Sequence, residues 1–217
     1  MPDRGITWVI RTLESESGSV PLKPVLDPID ELVQTVLSQN TSDINSGRAY
    51  ENLVSRFTTW KEVLEAIDQE IADAIRPGGL ADIKAPRIKA ILADVLRRRG
   101  RLDLFFLRDL PLHDAQDWLE ELPGVGPKTA ACVLLFSLGM PALPVDTHVM
   151  RVSHRLGLVP ARANASKTQE LLQNMVRPKD VYSFHLLLIR HGRTVCRARG
   201  PLCGECVLCS RCPSALT

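Results

Sequence analysis

Apolar residues along this chain recur mainly every three or four positions, the interval that lines one face of an α-helix. Ile6, Val9, Ile10 and Leu13 form one such stripe, and Ile29, Leu32, Val33, Val36 and Leu37 form a second. Ile88, Ile91, Leu92 and Val95 form a third, shortly after Pro86, a residue that a first helical turn tolerates because its missing N–H has no partner there. Helix starts are written in polar residues. Thr59-Trp60-Lys61-Glu62 reads as a capping box, in which a hydroxyl and a carboxylate satisfy N–H groups that the first turn leaves over. Ser166-Lys167-Thr168-Gln169 reads as another, opening a helix that Arg177-Pro178 closes. No run alternates strictly enough to predict a strand, and there are no repeats or low-complexity linkers. The expected fold is all-α, with short loops between helices.

Three of those loops have unusual chemistry. Ser38-Gln39-Asn40-Thr41-Ser42-Asp43 is a polar break between two helical stripes. Pro77-Gly78-Gly79-Leu80 displays a leucine on a turn. Leu122-Pro123-Gly124-Val125-Gly126 separates candidate helices over 113–121 and 127–139.

Composition adds little until the charge is divided along the chain. With 217 residues, 45% hydrophobic and 24% charged, the chain has room for one large domain or two interleaved ones. The apolar runs Ala130–Leu138 and Leu186–Ile189 are far too short to cross a bilayer. Met1-Pro2-Asp3-Arg4 shows no basic-then-apolar leader, so a reducing cytoplasm is the expected compartment. The net charge of +2 conceals an imbalance: residues 151–217 hold 11 Lys/Arg against three Asp/Glu, or +8, and the rest hold 16 against 22, or −6. Such asymmetry suits a chain with one region facing a polyanion, and equally a basic cluster on a solvated face. Five of the six cysteines fall within residues 196–212, a local cluster that suits metal binding better than the spread staples of a secreted protein.

The glycine loop continues as Leu122-Pro123-Gly124-Val125-Gly126-Pro127-Lys128-Thr129-Ala130, the helix-hairpin-helix signature. Its glycines let the backbone pass close to a nucleic-acid strand, where a side chain would obstruct. The N–H groups at the start of the following helix point at a phosphate, giving affinity without reading sequence. An ordinary Gly-rich helix–helix turn is the plainer alternative. Eighteen residues beyond Lys128, Val145-Asp146-Thr147-His148-Val149 opens another helix, for which Asp146 is a natural N-cap. Together Lys128 and Asp146 offer an amine and a carboxylate at helix starts facing one cleft. An amine that attacks a sugar C1′ expels the base and forms a Schiff base. In the cysteine cluster two ligand sets compete, Cys196/Cys203/Cys206/Cys212 and the evenly spaced Cys203/Cys206/Cys209/Cys212, and zinc also accepts four cysteines.

LPGVGPKTA followed by VDTHVMRV resembles the endonuclease III family of the helix-hairpin-helix glycosylase superfamily, over residues 6 to 213 or so. The resemblance implies two helical domains flanking a DNA-binding groove. Residues 23–141 would form a six-helix barrel carrying the hairpin, and 1–22 with 142–217 an iron–sulfur domain, with the active site between them. It implies Lys128 as nucleophile and Asp146 as the essential carboxylate. The C-x6-C-x2-C-x5-C spacing of Cys196, Cys203, Cys206 and Cys212, following His191-Gly192-Arg193, is the family's pattern for a [4Fe–4S] cluster, which leaves Cys209 as a spare thiol.

The implied reaction is excision of oxidised pyrimidines, then strand nicking by β-elimination, carried out by a nucleoid-associated monomer on duplex DNA bearing damaged bases or abasic sites. Gly124, Val125, Gly126 and Thr129 would hold phosphate, as would Arg197 and Arg199 on a basic loop. Leu80 corresponds to a wedge leucine and Asn40 to a gap-filling glutamine, or Gln39 if the register moves by one; Asp43 would line the base pocket. Pro127 departs from the family's basic residue, removing one phosphate contact. Adenine-specific mismatch glycosylases share the hairpin and aspartate but lack the lysine. The competing functions are a monofunctional glycosylase for another lesion and a catalytically weak DNA-binding module.

Overall fold

The structure, a computed structural model, describes residues 3–20 and 26–215. Eleven α-helices and no strand occur among them, in the order α1 Asp3–Ser17, α2 Pro28–Ser38, α3 Asp43–Arg56, α4 Trp60–Glu65, α5 Asp68–Ile75, α6 Ala81–Arg99, α7 Leu112–Glu120, α8 Pro127–Cys132, α9 Thr147–Arg155, α10 Ala165–Met175 and α11 Val181–Thr194. The chain is all-α, and it divides into two compact units, the described residues of 25–140 and those of 1–24 with 141–217. The 22/23 domain boundary and the first two residues of the expected leaderless start lie outside the described residues.

The unit of residues 25–140 is built on the second and third apolar stripes. Leu32, Val33, Val36 and Leu37 of α2 are buried, as are Ile88, Ile91, Leu92 and Val95 of α6. Each such side chain withdrawn from water contributes roughly 1.5–3 kcal/mol. α5 supplies Ile71 and Ile75 to this core, and Val133 and Leu134 follow α8. Past Cys132 the helix widens into a π-turn over Val133–Ser137, where Leu138 N–H reaches back to Val133 O at 3.3 Å. This is the 127–139 element of the sequence, wound in two pitches.

In the other unit α1 buries Ile6, Val9, Ile10 and Leu13, and packs on α11, which buries Phe184, Leu187 and Leu188. α9, with Val149 and Val152 buried, also packs on α11.

Three local expectations need correction. Pro86 is not in a first turn but inside α6, as its sixth residue. The missing N–H deprives only the carbonyl of Asp82, and both residues are exposed, so water replaces that bond. Ser166 does not cap its helix: Asn164 does, its Oδ1 accepting from Lys167 N–H at 2.9 Å, and α10 begins at Ala165. Starting there places Thr168, Gln169 and Leu172 on the buried face. At α4, Glu62 N–H does donate to Thr59 Oγ1 at 3.2 Å, but the Glu62 carboxylate accepts from Thr58 N–H at 2.8 Å, one residue earlier than a standard capping box has it.

Candidate nucleic-acid interface and cysteine centre

The hairpin turn closes through its own backbone. Val125 N–H donates to Leu122 O at 3.1 Å, and Gly124 takes φ 75°, open chiefly to glycine. A Cβ on Gly124 would lie 2.8 Å from Nε of Arg87, so this position is glycine for two independent reasons. The Val125 and Thr129 side chains are buried, which leaves only main chain for any outside ligand at those positions. Val125 N–H is spent inside the turn. Gly126, the N-cap of α8, has no side-chain acceptor, so the N–H groups opening α8 have no capping side chain. Lys128 is the second residue of α8 and is half-buried.

The polar break and the Leu80 turn belong to the same unit. Asn40 and Leu80 are exposed, at φ 55° and 53°. Among the described residues they are the two non-glycine residues in the left-handed region. That conformation costs an L-residue of leucine's type roughly 1–2 kcal/mol, and such strain persists only where surrounding structure enforces it. Gln39 is half-buried and its Oε1 accepts from Arg87 at 3.0 Å, so of the two neighbours Asn40 is the one that faces solvent. Asp43 is the exposed first residue of α3, behind the cap formed by Ser42 Oγ accepting from Asn45 N–H at 3.3 Å.

A residue that pattern reading missed underlies both loops. Lys84 is 2% exposed, and its ammonium donates to Leu37 O at 2.7 Å and Gly78 O at 2.9 Å. Burial pulls its pKa below the usual lysine value, and the neighbouring Arg87 cation adds to that. Its acceptors are main-chain carbonyls, one of them 47 positions away, so no local motif announces the contact.

In the second unit Asp146 caps α9 as expected. Its Oδ1 accepts from His148 N–H at 2.9 Å and Val149 N–H at 2.7 Å. Both cap bonds fall on one oxygen of a half-buried carboxylate.

All five clustered cysteines line one small cavity, together with apolar Val152, Leu156, Val195 and Leu202 and with Arg155 and His191. The structure therefore brings Cys209 to the same cavity as the other four. Among the described residues no three His, Cys, Asp or Glu side chains converge to hold a single ion. Burial pushes the Cys206 and Cys212 thiols up, and the neighbouring sulfurs push in the same direction.

α9 provides two further residues that sequence reasoning passed over, four apart on one helix face. Arg155 donates to Cys196 Sγ at 3.3 Å and to the carbonyls of Arg197 and Ala198 at 2.7 and 3.2 Å. Arg151 donates to Cys196 O at 3.1 Å and Gly192 O at 2.8 Å. The loop holding Arg197 and Arg199 is thus pinned from beneath while both side chains stay exposed, that of Arg197 donating to Thr194 O at 2.9 Å.

Residues 33–178 match the HhH-GPD superfamily of base excision DNA repair proteins, a span that takes in the hairpin, Lys128 and Asp146. The chain belongs to this superfamily. It is a DNA repair enzyme of the glycosylase and lyase class that the HhH-GPD fold carries. An Arabidopsis thaliana protein named as a DNA glycosylase is 42% identical over 165 residues, 76% of this chain and 56% of that protein, so the chain spans little more than half the length of this relative. Endonuclease III of Thermotoga maritima is 36% identical over 86% of this chain and 83% of its own length. Among solved HhH-GPD structures, a trapped covalent intermediate of an endonuclease III with DNA superposes with a TM-score of 0.83 at 27% identity, covering 97% of this chain and 95% of that one. None of the helices among the described residues is long and apolar enough to cross a membrane.

Proposed function

We propose that this protein removes oxidised pyrimidines from duplex DNA and then nicks the resulting abasic site by β-elimination, acting as a monomer. The observation that carries the reading is a lysine amine, Lys128, opening α8 directly after a backbone turn built for phosphate. In this reading the deprotonated Lys128 Nζ bonds to C1′, and the N-glycosidic bond breaks with its electron pair leaving on the base. The adduct nitrogen loses a proton, its lone pair opens the C1′–O4′ bond as O4′ takes a proton, and the resulting Schiff base loses its C2′ proton to expel the 3′ phosphate. Asp146, with one oxygen committed to its helix cap, keeps the other for a proton or for the developing sugar cation.

The main-chain N–H groups of Gly124, Gly126 and Thr129 hold a backbone phosphate, with Val125 spending its own N–H on the turn that presents them, and Arg197 and Arg199 hold another stretch of the strand. Leu80 enters the stack as a wedge and Asn40 fills the gap left by the everted nucleotide. The unit with the hairpin corresponds to the barrel domain and the other to the cluster domain.

The cysteine-lined cavity fits a [4Fe–4S] cluster. Its donor set is thiolate, its other walls are largely apolar, and Arg155 supplies a cation beside Cys196. A four-iron cluster binds each thiolate to a different iron and so needs a cage of sulfurs around a space rather than convergence on one point. By the resemblance of the C-x6-C-x2-C-x5-C spacing to the family's pattern, Cys196, Cys203, Cys206 and Cys212 hold it and Cys209 does not. When bound, the cluster ties four points of the C-terminal segment together.

The test is a duplex carrying thymine glycol, incubated with borohydride. Strand cleavage without alkali and a stable covalent adduct are expected. Base release without cleavage or adduct would make the protein a monofunctional glycosylase, and binding alone would make it a docking module.

A further inference from the structure

We infer that Lys84 is a positioning residue that sets the two base-displacing loops in register, acting through Asn40 and Leu80. The inference rests on the proposed roles of those two residues. Its grounds are three observations that meet at one ammonium group. First, the two non-glycine residues that adopt left-handed backbone among the described residues are Asn40 and Leu80, 40 positions apart in sequence. Second, Lys84 Nζ donates to the carbonyl three residues before Asn40 and to the carbonyl two residues before Leu80, at 2.7 and 2.9 Å. Third, the turn has little freedom to shift: a Cβ on Gly78 would lie 3.0 Å from the Cβ of Ala49 on α3.

Lys84 is also an expensive way to hold a loop. Its backbone lies in the first turn of α6, where the helix dipole disfavours a cation, and its ammonium, although it meets the C-terminal carbonyl Leu37 O of α2, is buried with no carboxylate among its hydrogen-bond partners. A purely structural requirement would be met more cheaply by apolar packing. What the ammonium adds is a single rigid node bonded to both loops, so that the wedge and the filler keep a fixed separation as they enter a duplex. Arg87, one turn further along α6, extends the node by donating to Gln39 and lying against Gly124 of the hairpin.

The experiment compares wild type, Lys84→Met and Lys84→Arg, each also in a Leu80→Ala background. Two readouts are taken: excision from paired and single-stranded lesions, and fluorescence of 2-aminopurine placed beside a non-cleavable abasic analogue in duplex DNA. Lys84→Met should lower excision of the paired lesion about tenfold, as small misplacements of positioned groups do. Excision from single strands should stay within about twofold, because little unstacking is needed there. The fluorescence rise should shrink in parallel, and Lys84→Arg should recover part of it.

In the Leu80→Ala background Lys84→Met should lose only the part of its effect that runs through Leu80 and keep the part that runs through Asn40, since residues acting through one another are not additive. Equal losses on both substrates, or full additivity with Leu80→Ala, would overturn the inference. Should Lys84→Met fail to fold, Gly78→Ala presses the same turn against Ala49 without touching the lysine and must show the same substrate split. A wild type that excises neither substrate would defeat the proposed function instead. The fluorescence comparison would then still decide the role of Lys84.

Discussion

Helix α6 and the C-terminal segment 196–215 are nearly the same length, and they are held in place by different means. α6 buries seven of its 19 residues, among them four large aliphatic side chains, and caps its own end at Gly100, φ 71°. The C-terminal segment buries one residue, Leu208. Its path is fixed by short turns such as Cys206 N–H to Cys203 O at 3.2 Å, and by the two arginines of α9 bonded to its carbonyls. Side-chain burial at about 25 cal/mol per Å² is ample for the first and nearly absent for the second. With so little core in this segment, the proposed cluster would make metal binding and local folding one equilibrium there. The strained residues Asn40 and Leu80, in contrast, flank carbonyls held by the buried Lys84 of α6.

Breaking this comparison begins with chemistry, where the effects are largest. Lys128→Gln should abolish the borohydride-trapped adduct while DNA affinity, measured by anisotropy, stays nearly constant. Asp146→Asn keeps the cap geometry and should lower turnover about a thousandfold; trapping by Lys128→Gln at the wild-type level would place the nucleophile elsewhere. Next comes the anchor. Cys196→Ser should remove the iron and the broad visible absorption, and should expose 196–215 to proteolysis. Hydrogen exchange in α6 should be unchanged, and loss of protection in α6 as well would show the two regions are not independent.

Leu80→Ala should reduce excision of paired lesions about tenfold and of single-stranded lesions hardly at all. Thr59→Ala, which deletes the cap of α4, should cost about 1 kcal/mol in a denaturant titration without altering the catalytic rate. Smallest of all, Cys209→Ser should leave iron content and colour unchanged, and a loss of either would move the ligand set.

Helices that bury one full stripe were legible from spacing, as in α1, α2 and α6. So were Asp146 as a cap and the hairpin as a sharp turn, because local residues decide both. The start of α10 was not legible. Asn164 and Ser166 are both good caps, and the choice follows from which register buries Leu172. Pro86 misled for a related reason: α6 begins at a left-handed leucine, a start that no propensity rule proposes. Lys84, Arg151 and Arg155 were invisible because most of their acceptors lie 41 to 47 positions away, nearly all of them main-chain carbonyls. In the sequence they are ordinary surface cations.

Arg87 occupies the space that a side chain at Gly124 would need, and the same guanidinium holds Gln39. The order in which substitutions arrive is therefore constrained. Alanine at 124 meets both the arginine and an unfavourable φ; a smaller residue at 87 relieves the first and leaves the second. Shrinking position 87 first frees Gln39 and loosens the 38–42 loop, the intermediate that selection would see. A mutational path through the hairpin thus runs by way of a different loop, and libraries that vary Gly124 alone should return almost nothing but glycine.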